Sequence, residues 1–82
     1  MYKVKIEKKA VKKLAKIPPP YYNKIKDAIL DLADNPKPNG CKKLKGREGY
    51  RIRIGDYRVI YEVIDDVLLV SVLDLGSRGG IY

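Results

Sequence analysis

Between Tyr50 and Ile64 the chain carries an apolar residue at every second position, on either side of one break at Gly55-Asp56. A period of two is the signature of a β-strand with one buried face. A glycine-containing pair between two such runs is a two-residue hairpin signal. The turn fixes the register: Ile54 faces Tyr57, Arg53 faces Arg58, Ile52 faces Val59 and Arg51 faces Ile60. Tyr50, Ile52, Ile54, Tyr57, Val59, Tyr61 and Val63 then share the core side. Arg51, Arg53 and Arg58 cluster on the other side.

The rest of the chain must cover that apolar face. Tyr2 to Ile6 alternates and reads as a strand with Tyr2, Val4 and Ile6 inward. Ala10, Val11 and Leu14 form one face of a short lysine-rich helix between Glu7 and Lys16. Pro18-Pro19-Pro20 stops it, since proline lacks the amide donor and clashes with the preceding turn. Pro20 suits the first turn of a second helix. There Tyr22, Ile25, Ile29 and Leu32 recur at helical spacing, and Pro36 bounds the helix near Asp34-Asn35. Residues 36–49 read as loop, with Leu44 the one residue that looks buried. Asp65-Asp66 reads as a second tight turn, Val67 to Leu73 as the last long strand, and Gly76-Ser77 as its end. The order is β-α-α-β-β-β over a single domain, residues 1–82. This is an α+β fold with a helix hairpin on one face of a small, mostly antiparallel sheet.

Charge narrows the function. The 82 residues carry a net charge of +8, which suits a polyanionic partner or an acidic protein that covers the surface. All 13 lysines precede Gly46 and all five arginines follow it. Lysine is a mobile, hydrated point charge, whereas arginine is a planar fork that grips phosphate at two points. With no histidine, neither a His-based metal site nor a Ser-His or Cys-His pair can be built. Cys41 is the only cysteine, so there is no internal disulfide, and no base neighbours it in sequence. The acids Asp31, Asp34, Asp65 and Asp66 read as turn and helix-surface residues rather than metal ligands. No apolar run approaches the roughly 20 residues of a membrane span, and no secretory leader is visible. The chain reads as soluble and cytoplasmic.

Directly opposed like charges such as Arg53 and Arg58 destabilise a sheet by up to about 1 kcal/mol. A hairpin built for stability alone would place Glu or Thr there. Three guanidinium groups within diagonal reach can bind one phosphodiester, so the cluster reads as an anion site. Lys42, Lys43, Lys45 and Arg47 fit a phosphate-tracking loop or a solvated connector. Arg78 fits a fourth guanidinium brought back by glycines, or a surface residue. Tyr82 fits a base-stacking ring or a frayed end.

Leu44-Lys45-Gly46, then Tyr50-Arg51-Ile52-Arg53-Ile54-Gly55-Asp56-Tyr57-Arg58-Val59-Ile60-Tyr61, then Gly76-Ser77-Arg78 with Tyr82 resembles the RelE/ParE toxin superfamily. The likeness covers nearly the whole chain. RelE-like members are ribosome-dependent endoribonucleases that cut mRNA in the A site, and ParE-like members poison DNA gyrase on the same fold. The resemblance implies Arg51, Arg53, Arg58, Arg78 and Tyr82 as site residues, no cofactor and no metal. It implies an acidic RelB-like antitoxin as partner in a higher-order complex, with the ribosome and mRNA as targets. Retention of both Arg78 and Tyr82 favours the RNase branch. A gyrase poison and a non-enzymatic RNA-binding module are the alternatives. Arginine is a poor general base, which leaves Tyr82, with its α-carboxylate, Glu48 or Lys45 to move a proton. Some RelE members carry lysine where this chain has Arg51 and Arg53, and the family's C-terminal helix is absent.

Overall fold

In the computed structural model, which describes residues 1–77, the N-terminal alternation becomes strand β1, Lys3–Ile6. Helix α1 spans Lys8–Leu14 and α2 spans Tyr21–Asp31. Strands β2 (Lys42–Lys43), β3 (Tyr50–Ile54), β4 (Tyr57–Ile64) and β5 (Leu69–Ser77) follow. The α+β architecture is as the sequence implies. Five strands lie in the order β1-β5-β4-β3-β2, with β1 parallel to β5 and every other pair antiparallel.

The hairpin register is the one fixed by the turn: Ile54 with Tyr57, Arg53 with Arg58, Ile52 with Val59 and Arg51 with Ile60. Gly55 has φ +61°, a conformation that suits glycine. The buried core joins Ala10 and Leu14 of α1, Ile25 and Ile29 of α2, Ile52, Val59 and Tyr61 of the hairpin, and Val70, Val72 and Leu75 of β5. Helix α1 lies on β5 and α2 on β3. Tyr61 is fully buried and donates its hydroxyl to the Pro36 carbonyl at 2.6 Å. Burial, with the neighbouring Cys41 thiol, pushes that hydroxyl far above its ordinary titration range, so it stays a donor. This bond ties the segment after α2 to the sheet.

The structure differs from the sequence expectation in four places. Both helices are shorter than their apolar periodicity, because the turns at Ala15 and Leu32 tighten before the proline segments. The 36–49 loop contains β2, whose Lys42 pairs with Arg51 and Lys43 with Tyr50. The turn at Asp65-Asp66 is wider than two residues: Asp65–Val67 form a 3-10 turn, and Leu68 closes it at φ +50°. Strand β5 starts and ends later than expected and includes Gly76 and Ser77. The wider turn delays its start, and its later part runs through a bulge: Ile60 pairs with Asp74 and Tyr61 with Val72, leaving Leu73 unpaired in the register.

Candidate anion site

Strand alternation sends Arg51, Arg53 and Arg58 away from the helices. Arg53 and Arg58 are directly opposed, Arg51 lies diagonal to Arg58, and Lys42 on β2 is opposite Arg51. Arg53 is exposed, and Arg51 and Arg58 are half-buried. Among the described residues no ion pair takes up Arg51 or Arg53. Arg53 and Arg58 line a cleft of about 270 Å³ with Gly55 and Asp56 at the hairpin tip.

The lysine-rich segment continues this surface. Lys42, Lys43, Leu44, Lys45, Arg47 and Arg51 line a second cleft of about 450 Å³. Leu44 anchors it, packing with Ile60 and Leu73 in a small apolar cluster on the arginine side of the sheet. The backbone closes behind Leu44, whose N–H donates to the Gly49 carbonyl at 3.0 Å. Arg51 in one cleft and Arg53 in the other are two residues apart on β3, so cationic groups run from the hairpin tip to β2. The sign then changes. Glu48, Glu62, Asp65 and Asp66 line a cleft of about 480 Å³ at the far end of β4. An extended polyanion is therefore attracted to the tip and β2 side and repelled from that end.

Lys45 lines the basic cleft, whereas Glu48 lines the acidic one. Arg78 and Tyr82 lie outside the described residues. Among the described residues no cluster of His, Cys, Asp and Glu is able to hold a metal ion. Tyr21, the first residue of α2, is part-exposed at the hairpin tip. Its ring lies 5.3 Å from that of Tyr57 and covers Gly55.

Sequence reasoning missed Asp74. Its buried carboxylate accepts from Lys13 at 2.8 Å and from the Leu75 N–H at 2.9 Å, and pairs with Lys9 at 3.2 Å. Burial alone would raise this carboxyl, but the hydrogen bonds from Lys13, Lys9 and the Leu75 amide outweigh it and hold the group below its ordinary value. The native carboxyl thus binds its proton less tightly than the unfolded one, which titrates near pH 4. Its stabilising contribution is complete above about pH 4 and is lost as pH falls through the native value. Urea midpoints measured between pH 3 and pH 7 are expected to drop on the acid side, and less steeply in Asp74→Asn. The only sequence signal is an aspartate set between two leucines, Leu73 and Leu75.

A family model described as the ParE toxin of the parDE type II toxin-antitoxin system matches residues 4–82. A protein of Methanocaldococcus jannaschii assigned as toxin RelE1 is 38% identical over 85 residues, covering 99% of this chain and 94% of that one. The archaeal RelE-RelB complex of Pyrococcus horikoshii contains a similar chain. The TM-score is 0.83 at 36% identity, over 96% of this chain and 97% of that one. The RelBE2 toxin-antitoxin complex of Mycobacterium tuberculosis gives a TM-score of 0.82 at 26% identity, over 94% of this chain and 98% of that one. A match along the full sheet and both helices, at this identity, is a match of family as well as of fold. The chain belongs to the RelE/ParE superfamily and is a RelE-like toxin of the type II toxin-antitoxin class.

Proposed function

We propose that this toxin cleaves mRNA on the ribosome and so stops translation. The observation that carries the reading is the opposed Arg53–Arg58 pair with Arg51 diagonal to it, on a face the helices leave open. In the reaction the ribose 2′-oxygen attacks the adjacent phosphorus in line and the P–O5′ bond breaks. The products are a 2′,3′-cyclic phosphate and a 5′-hydroxyl. The 2′-OH proton passes to a base, and the leaving 5′-oxygen takes up a proton. Negative charge grows on the phosphoryl oxygens, and Arg58 and Arg78 neutralise it. Arg51 and Arg53 hold the scissile phosphate. Tyr82 stacks on a base and helps splay the codon toward attack geometry. Lys42, Lys43, Lys45 and Arg47 track the flanking backbone. Lys45 is the proton-transfer candidate on the cationic track. The ribosome completes the alignment, so free RNA is cut poorly.

Solved relatives include toxin-antitoxin complexes with RelB. By analogy the partner here is an acidic RelB-like protein that covers the arginines in a higher-order complex, and the site of action is the cytoplasm. A net charge of +8 supports such a partner. Primer extension on a translated message during expression tests the function. Codon-spaced stops are the expected result. DNA damage without stops points to gyrase, and RNA affinity without stops points to a binding module.

A further inference from the structure

The bulge in β5 sets what stands beside Arg58. From Leu69 to Val72 the strand pairs one-to-one with β4, ending at Val72 with Tyr61. One-to-one pairing from there would set Leu73 against Ile60, Asp74 against Val59 and Leu75 against Arg58. An aspartate would then point at the core and a leucine would stand among the arginines. The extra residue prevents both. Leu75 meets Val59 in the core, and Gly76 meets Arg58. Glycine sets no side chain of its own opposite Arg58.

Strand β5 has a strand neighbour on one edge only from this point on. Its other neighbour, β1, ends at the pairing of Ile6 with Val72, and the last bond from that side is Glu7 N–H to the Val72 carbonyl. Beyond it, α1 supplies the contact. Lys9 and Lys13, one turn apart, both reach the Asp74 carboxylate, which also accepts the next backbone N–H, that of Leu75. Leu73 is turned the other way, onto Leu44 and Ile60. The two residues of the bulge are thus fastened on opposite sides of the sheet.

We infer that Asp74, clamped by Lys9 and Lys13, is a positioning residue that fixes the β5 register so that Gly76 rather than Leu75 stands opposite Arg58 and no bulky β5 side chain is set among the arginines. The register is independent of the proposed cleavage, and only the effect on rate rests on that reading. Asp74→Ala and the double variant Lys9→Met/Lys13→Met test it by NMR together with single-turnover cleavage of ribosome-bound mRNA. The expected result is loss of the cross-strand Arg58–Gly76 contacts, a shifted Arg58 Nε–H resonance, and cleavage at least about tenfold slower at unchanged ribosome affinity. Gly76→Leu is expected to slow cleavage with the register intact. If Asp74→Ala does not fold, the lysine double variant decides. Retained Arg58–Gly76 contacts in the variants overturn the proposal whether or not cleavage falls, as does full cleavage by Gly76→Leu. Should the wild-type protein cut nothing, the cleavage reading fails, and the contacts alone decide the register.

Discussion

Arg53→Ala and Arg58→Ala are each expected to slow cleavage of ribosome-bound mRNA by about 10²–10³-fold, the usual loss when one transition-state contact is removed. Stability should move the other way for Arg53→Ala. Arg53 is exposed, has no ion pair among the described residues and stands directly opposite Arg58. Removing it relieves a like-charge repulsion of up to about 1 kcal/mol. In a domain of this size that is a rise in Tm of a few degrees. Inactivation with stabilisation marks a side chain kept for chemistry at the expense of the fold. Scanning calorimetry beside a single-turnover assay reads both. Wild-type cleavage by both variants would remove them from the site.

Gly49→Ala is the substitution expected to damage the fold most for its size. Gly49 sits at φ +117°, where a side chain is strained. A Cβ there would lie 2.9 Å from the Tyr61 carbonyl oxygen, a backbone atom of the central strand, and 3.3 Å from Leu44. Neither cost can be relieved by rotating a side chain away from the carbonyl. We expect a loss of about 2–4 kcal/mol, drawn from backbone strain and overpacking. At roughly 4–8 °C per kcal/mol this lowers Tm by about 10 °C or more. Gly46→Ala is the control: it also has positive φ, +74°, but no atom lies within 4 Å of its Cβ. A larger fall in Tm for Gly49→Ala than for Gly46→Ala reports the approach to Tyr61 and Leu44 together with the greater strain at φ +117°. Gly49 closes the loop that carries Lys45 and Arg47, so the same variant should weaken RNA binding at temperatures where it remains folded.

The hairpin and its arginines were legible because their signals are local. Gly55-Asp56 fixes the turn, and alternation assigns every side chain from Tyr50 to Val63 to a face. Strand β2 was not legible: Lys42 and Lys43 are two charged residues without alternation, and only pairing with β3 makes them a strand. The limits of β5 were hidden for the opposite reason. Its core residues Val70, Val72 and Leu75 step by two and then by three, so the bulge disrupts the period that would reveal it. Asp74 could not be placed because its partners are on α1, more than sixty residues earlier. The chemistry proposed for Arg78 and Tyr82 stands on resemblance alone, since both lie outside the described residues.

Strand β5, the last of the five described strands in chain order, occupies an interior position in the sheet between β1 and β4. Until it emerges, Lys3–Ile6 has no strand to join, and the β3–β4 hairpin lacks its largest interface. An isolated two-stranded hairpin is marginal in water. Assembly of the sheet therefore waits on β5, and the ribosome making this protein has already synthesised the other four strands before a completed cationic surface exists beside it.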